Sequence, residues 1–430
     1  MSLPQKCLYQ NKINASYARN FNSVIQAQNT STYGVGQTAI FNIPCMRNQV
    51  LSGADTMLSL KLRTRNSAAG ANTAYLNKCG IAGCIQRLRI FSGSQLLCDI
   101  DNYGNLMSFL TPYQVGKDHC DGKLKILQGV GQERGLQIMT ALATNSNNPL
   151  DYDFCFPLLS ILSMTDNYVP LWALSGNGSL RVEIQFVSQL SAFIGATGAL
   201  SNHSDGVNTV FSDVKMIANF VELSDQAMEI IQSSLQGKPV QWVCQSFSNY
   251  VFNTSLKTTT TQISMPIPAK FNSLKALYVT MRQNSDGALS RYSDDCPTYS
   301  LSSYTTRIGS RVIPSEPPTT LPQFIAEIER ALGSASSRVA PSSYTARQVN
   351  TSIVTTDLGY SSCFAVGVET ESYSSAPMGS VYQGLNTSTD DIFFQASFAP
   401  QAGETTVRFD AYASFDQLIS IDNGQVSVQY

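Results

Sequence analysis

Ile85-Gln86-Arg87-Leu88-Arg89-Ile90-Phe91-Ser92-Gly93-Ser94-Gln95-Leu96-Leu97-Cys98-Asp99-Ile100-Asp101-Asn102-Tyr103 packs a change of architecture into nineteen residues. Apolar and polar residues alternate up to Ile90, the period of a half-buried strand. Gly93-Ser94 makes a turn, a short apolar strand follows, and Tyr103 to Leu110 takes up a helical period that Pro112 closes. The same order returns from Tyr304 to Leu332: a strand, Gly309-Ser310, a short strand at Val312-Ile313, a Pro-rich turn and a helix. That helix has Pro322 in its first turn, Phe324, Ile325, Ile328 and Leu332 on one face, and Gly333 at its end. The two Gly-Ser pairs stand 216 residues apart in a chain of 430, and the breaker Gln236-Gly237-Lys238-Pro239 lies near the midpoint. Two similar β-sandwiches in tandem are the expected organisation.

The remaining periodic segments agree. Thr38 to Ile43, Met57 to Arg63, Leu180 to Val187 and Val214 to Val221 alternate with period two in the first half. Leu274 to Arg282, Phe364 to Glu369, Ile392 to Phe398 and Val407 to Ala413 do so in the second. Turn-rich insertions between them point to antiparallel sheets rather than β-α-β winding. One further helix is expected at the midpoint. Ser224 can cap it, Leu223 and Met228 stand at the staple positions, and Met228 and Ile231 belong to its apolar face.

Composition narrows the function classes. Charged residues make up 13% of the chain, roughly half of the ~25% usual in soluble domains. Disorder does not explain this, because 43% apolar and 10% aromatic content can fill a large core. The densest apolar stretch, Phe154 to Met164, is broken by Pro157 and is too short to span a bilayer as a helix. The opening residues contain no apolar run that would serve as a secretion signal. A net charge of −2 argues against an extensive nucleic-acid groove. Ser, Thr, Asn and Gln fill the polar positions instead. Such surfaces desolvate at lower cost than charged ones and suit a subunit surrounded by copies of itself. The ten cysteines are mostly far apart and read as free buried thiols.

Catalytic and ligand signatures are weak. His119 and His203 are the only histidines, and neither sits in a nucleophile-base setting. Gly129-Val130-Gly131-Gln132-Glu133-Arg134-Gly135 lacks the spacing of a phosphate loop and is expected to be a flexible surface loop. Cys79 and Cys84 have the spacing of one zinc-ligand pair without a second pair, so a turn into the next strand is preferred. Asp294-Asp295, Asp390-Asp391 and Asp99/Asp101 are read as turn residues. No catalytic, metal or cofactor-binding residue is assigned, and the chain is not expected to be an enzyme. Ahead of the first acidic residue, Asp55, stand Lys6, Lys12, Arg19 and Arg47. Two readings remain open: an arm on an inner surface facing nucleic acid, lipid or an anionic partner, and chance in a low-charge chain.

Taken in order, several stretches resemble the major capsid proteins of the double jelly-roll viral lineage, the group of adenovirus-like hexons, Polinton-like viruses and virophages. They are Tyr33 to Pro44, Thr56 to Leu62, Arg87 to Tyr103, Val221 to Ala227, Phe271 to Val279, Ile308 to Pro314 and Phe415 to Ile421. The resemblance implies an all-β fold of two tandem eight-stranded antiparallel jelly rolls with a few short helices. It divides the chain into an N-terminal arm (1–29), a first jelly roll (30–222), a linker helix (223–239) and a second jelly roll (240–430). It also implies a structural role: a homotrimer forming a pseudo-hexagonal capsomer, contacts with neighbouring capsomers and with a penton or minor capsid protein, and an icosahedral virion shell built from protein made in the host cytoplasm. Inner-face contact with genome or an internal membrane falls to Lys6, Lys12 and Arg19, and sequence-specific nucleic-acid binding is not expected. Tyr292, Tyr299, Tyr304 and Tyr344 are candidate interface anchors, and charge should be scarcest on the lateral faces. The alternative in another class is a β-sandwich carbohydrate-binding module or glycoside hydrolase.

Overall fold

Two sandwiches of identical strand order follow one another along the chain. The structure is a computed structural model and describes residues 18–64, 73–139, 150–165, 167–196, 210–283, 292–333, 342–353, 360–371, 384–422 and 424–430. Lys6, Lys12 and His203 lie outside these residues. The first sandwich contains β1 (Ala18–Gln26), β2 (Thr38–Pro44), β3 (Gln49–Thr64), β4 (Ile85–Ser92), β5 (Gln95–Asp101), β6 (Leu150–Pro157), β7 (Ser179–Phe186) and β8 (Val210–Leu223). The second contains β9 (Val240–Leu256), β10 (Thr261–Ile267), β11 (Leu274–Gln283), β12 (Leu301–Ile308), β13 (Arg311–Ile313), β14 (Ala365–Glu369), β15 (Ile392–Phe398) and β16 (Thr405–Asp422), with β17 (Gln425–Gln429) added to the edge of β16.

In the first sandwich the sheets run β1-β8-β3-β6 and β2-β7-β4-β5. In the second they run β9-β16-β11-β14 and β10-β15-β12-β13. Every pairing in these four sheets is antiparallel. Adding eight to each strand number of the first unit gives the second. Each unit is therefore a jelly roll, and the fold is a double jelly roll.

Alternation drives the closure of each roll. On β3, Leu58, Leu60 and Leu62 point inward and are fully buried, while Ser59, Lys61 and Arg63 point out. Each such leucine contributes about 2 kcal/mol of transfer free energy. Phe186 and Phe211 stack across the first core at 4.3 Å, and Phe398 meets Phe409 edge-on at 6.0 Å in the second.

Helices fill equivalent places. α1 (Tyr103–Gln114) follows β5, and α3 (Leu321–Ala331) follows β13. Between the rolls lies α2 (Asp225–Leu235), where the Ser224 hydroxyl accepts the Ala227 amide at 3.2 Å and Gly237 turns the chain at φ +75°. Met228 is its one buried residue; Leu223 and Ile231 are half-buried. α3 starts with a capping box between Thr320 and Gln323 and buries Phe324 and Ile328.

Two expectations are corrected. Ala18–Gln26, placed in an N-terminal arm, is a sheet strand: β1 pairs with β8 from Ala18↔Leu223 to Gln26↔Lys215, and Phe21 stacks on Phe220 at 5.6 Å. Pairing with β8, rather than any strong alternation of its own, holds it. α1 runs on past Pro112 to Gln114: Pro112 has no amide to give, but the Val115 amide still closes the last turn on the Thr111 carbonyl at 3.0 Å.

Gly367 on β14 marks the closest approach of α3 to its sheet. A Cβ there would stand 2.5 Å from the Ile328 Cα. Gly367→Ala is expected to push α3 outward and to lower stability by about 1–3 kcal/mol, measured as a shift in denaturant midpoint; an unchanged midpoint would refute this packing.

Candidate functional site

Strand β11 reads Leu274-Lys275-Ala276-Leu277-Tyr278-Val279-Thr280-Met281-Arg282-Gln283, and neither of its faces is left to water. Leu277, Val279 and Met281 enter the second core, while Ala276, Tyr278 and Thr280 are equally buried on the other side. On β16, Phe409, Ala411 and Ala413 face the core, and Asp410, Tyr412 and Ser414 face away from it yet are buried too. The first roll covers this outer face.

α1 covers it over β11 and β16, and α3 covers it at β14, where the Tyr278 hydroxyl donates to the Ala331 carbonyl at 2.9 Å. Ten residues of α1, from Tyr103 to Tyr113, are buried, so that helix is enclosed nearly all round. A Cβ on Gly104 would meet the Gly83 carbonyl oxygen at 2.6 Å, so glycine allows α1 to sit tightly on the 3-10 turn Gly80–Cys84. On its other side Phe109 packs against Tyr278 and Tyr412, with ring centroids 5.4 and 5.9 Å apart.

A polar cluster lies beneath α1. The Asp410 carboxylate, fully buried, accepts from Arg282 Nε at 2.6 Å and from Arg408 Nε at 3.0 Å. Asn105 Nδ2 on α1 lies 3.4 Å from Asp410, 3.2 Å from the Thr280 hydroxyl and 3.1 Å from the Tyr412 hydroxyl. The Tyr412 hydroxyl donates to the Asn102 carbonyl at 3.0 Å. Burial alone works against the charge of Arg282, but the adjacent Asp410 carboxylate outweighs it and raises the guanidinium pKa.

Further along the seam, Gln417 donates to the Leu97 carbonyl at 2.6 Å and Asn102 to Asn249 at 2.8 Å. Trp242 donates to Thr165 at 3.1 Å. At the other end lies Lys78, 1% exposed, donating to the Ser361 hydroxyl at 2.5 Å and the Ser362 carbonyl at 2.7 Å. Asp294 and Asp295 are buried beside it: Asn77 donates to Asp294, and the Ser362 amide to Asp295 at 2.6 Å. Burial lowers the Lys78 pKa, and Asp294 with its neighbours more than restores it.

Among the described residues, nothing covers the equivalent outer face of the first roll in this way. Across β1, β8, β3 and β6 one register row reads Val24, Ile217, Met57 and Pro157. Val24 is 55% exposed, and the other three are partly or fully open to solvent. The next rows bring in Lys215, Ser59, Lys61 and Arg63, which face Cys155, Asp153 and Asp151. Ion pairs Arg63–Asp151 (2.7 Å), Lys215–Asp213 (2.8 Å) and Lys61–Asp153 (3.6 Å) cover this half. This face therefore carries three ion pairs beside its apolar row.

Several sequence-stretch readings change. Tyr292, Tyr299 and Tyr304 are buried within the chain, and Tyr292 donates to the Leu76 carbonyl across the seam at 3.2 Å. Tyr344 meets Tyr113 at 4.8 Å, again across the seam. Asp294 sits in a turn, closed by the Asp295 amide on the Tyr292 carbonyl at 3.3 Å, and both carboxylates are buried there. Gly129 to Gly131 is buried, and Gly135 is hemmed in by Asn77 and Gly129, so this stretch is a packed turn rather than a flexible loop. His119 is exposed on the short helix Lys117–Asp121. Arg19 lies exposed on β1, its guanidinium 5.8 Å from the Phe21 ring. Asn105, Asp410 and Lys78 were missed, because one polar residue in an apolar run signals burial only once its partners are known.

No protein-family model matches this sequence, and no curated protein matches it. Solved structures do. VP54 of PBCV-1, fitted into a reconstruction of the virophage Sputnik, is similar with a TM-score of 0.65 at 12% identity, over 98% of this chain and 99% of that one. The Faustovirus major capsid protein gives 0.60 at 10% identity, covering 97% and 92% of the two chains. The mavirus major capsid protein gives 0.54 at 12% identity, covering 100% and 96%. The likeness runs through both rolls and establishes the fold.

Asp410→Ala would leave Arg282 buried without its carboxylate, and a loss of about 3–5 kcal/mol is expected, measured as a shift in denaturant midpoint; an equally stable variant would disprove the cluster's role. Alkali should also loosen the seam. Burial pushes the Cys98 thiol up to about 11 and Cys363 up to about 12, from 9.0. The folded chain holds these protons where the unfolded chain loses them, so the contribution is complete below the ordinary thiol value and lost as pH rises through the folded ones. In reductant, the denaturation midpoint is expected to hold to about pH 8.5 and to fall between about pH 9 and 11; a flat profile would contradict this.

Proposed function

We propose that this chain is the major structural subunit of an icosahedral virus shell and performs no catalysis. The observation that carries the reading is that two jelly rolls and the seam between them take up nearly all the described residues, in an arrangement that matches viral major capsid proteins along their whole lengths. Three chains would bring six rolls into one pseudo-hexagonal capsomer, which tiles with its neighbours and meets a penton or minor capsid protein at the vertices. On this reading the protein is made in the host cytoplasm and resides in the virion. Arg19, with Lys6 and Lys12, would face the shell interior as a non-specific cationic contact to genome or membrane.

What the subunit does is therefore mechanical. It supplies stiff walls whose sides are contact surfaces, and neutral polar residues keep the desolvation cost of those contacts low. Light scattering on purified protein is expected to give a three-chain species of about 140 kDa, three times 46.8 kDa, with a six-lobed outline by negative-stain microscopy. A persistent monomer across a wide concentration range would rule the reading out.

A further inference from the structure

Where the two rolls meet beside Lys78, two stretches of the second roll run side by side outside its sheets. The Cys296 amide donates to the Ser362 carbonyl at 3.3 Å, and the Phe364 amide donates to the Cys296 carbonyl at 2.8 Å. These two bonds make Cys296 and Cys363 direct partners in a parallel bridge. Both are buried, and both are free thiols. Among the described residues no other two cysteines are paired across strands.

A bridge of this kind fixes what a cross-link needs. Hydrogen-bonded neighbours in a sheet lie about 4.8 Å apart, and partners in register point their side chains to the same side. Disulfides take Cα separations of about 4.4–6.8 Å. The two thiols therefore stand within bridging reach. Their surroundings hold the backbone in place: the Ser362 amide donates to Asp295 at 2.6 Å, the Cys363 amide to the Gln348 carbonyl at 3.2 Å and the Thr298 amide to the Thr351 carbonyl at 2.8 Å. Charge prepares the same place. Lys78 reaches it from the first roll, donating to Ser361 and Ser362 beside Cys363. Burial pushes the Cys363 thiol up to about 12 and raises Cys296 as well, while the Lys78 ammonium works against both rises. The thiols thus persist in a reducing compartment, and a thiolate, once formed, has a cation beside it.

We infer that Cys296 and Cys363 are the site of a disulfide within the chain, formed by a peroxide after folding with both thiols reduced. The Cys363 thiolate attacks hydrogen peroxide: the O–O bond breaks, a sulfenic acid forms, and the hydroxide that leaves takes up the proton Cys363 gave. The Cys296 sulfur then attacks the sulfenic sulfur. The S–S bond forms, the S–O bond breaks, and the oxygen leaves as water with the Cys296 proton. Two thiols and one peroxide give one disulfide and two waters, so two electrons pass from sulfur to oxygen. The loop closed in this way contains β12, β13 and α3. It fastens the segment that bears Asp294 and Asp295 to the segment that Lys78 holds, which staples this end of the seam. The chemistry stands on the geometry of the single chain and does not need the shell function; in a shell it would harden the subunit after it leaves a reducing compartment.

Peptide mapping of the oxidised protein tests this. Purified chain is freed of reductant, held in hydrogen peroxide until its thiol count is constant, then denatured, alkylated and digested without reductant. Cys296 is expected in one peptide pair with Cys363, two hydrogens lighter than the separate thiol peptides. Circular dichroism should be unchanged, and the unfolding equilibrium of the linked chain should shift toward the folded state by about a hundredfold, a gain that is lost once dithiothreitol has reduced the chain. Cys296→Ser should abolish the gain and leave Cys363 as a sulfenic acid that dimedone traps, whereas Cys45→Ser with Cys155→Ser should leave the cross-link intact. Cys296 and Cys363 recovered as separate thiols in the oxidised wild-type chain, either one joined to a different cysteine, or a linked chain no more stable than the reduced one would overturn the inference. Each of these results would leave the shell function standing.

Discussion

The central strands β16 and β11 of the sheet β9-β16-β11-β14 are buried on both faces along their middle, and the rest of the structure depends on how the second face is satisfied. A β-sheet with two buried faces must place every outward polar group against a partner, or each costs roughly 1–3 kcal/mol. Asp410 is the hardest case. It is tolerable because Arg282 and Arg408 neutralise it and Asn105 reaches down from α1. Those partners come from both rolls, so the cluster fixes their relative position as well as their adhesion. Apolar contacts from Phe109 supply area but little register; the hydrogen bonds supply the register.

The low charge content takes on a more specific meaning. Within the chain, the seam consumes neutral polar residues such as Asn102, Asn105, Gln417 and Asn249, which can be buried with one or two hydrogen bonds each. The charges that exist are concentrated in pairs. Three lie on the outer face of the first roll. Scarcity of charge therefore reflects contacts inside the chain, while the outer face of the first roll keeps its ion pairs beside a small apolar strip.

Strand-turn-strand-helix order made the tandem organisation legible in sequence, because Gly-Ser turns and capped helices are local signals. Ser224, Pro322 and Gly333 did in structure what their positions implied. β1 was not legible: its residues alternate weakly and are held by β8, which lies nearly two hundred residues away. Nor could alternation show that β11 and β16 are covered twice. Tyr278 and Thr280 look like the solvent side of an amphipathic strand until α1 is laid over them. Tyr292 and Tyr344 were recognised as contact residues, but the surface they contact is the other half of their own chain.

Hydroxyl-radical footprinting of the single chain tests the central claim that the second face of β9-β16-β11-β14 is covered within the chain. Phe109, Tyr278 and Tyr412 should stay protected until the chain unfolds, whereas Val24 and Val312 should react in the folded state. Reactive seam residues in the folded single chain would contradict the account.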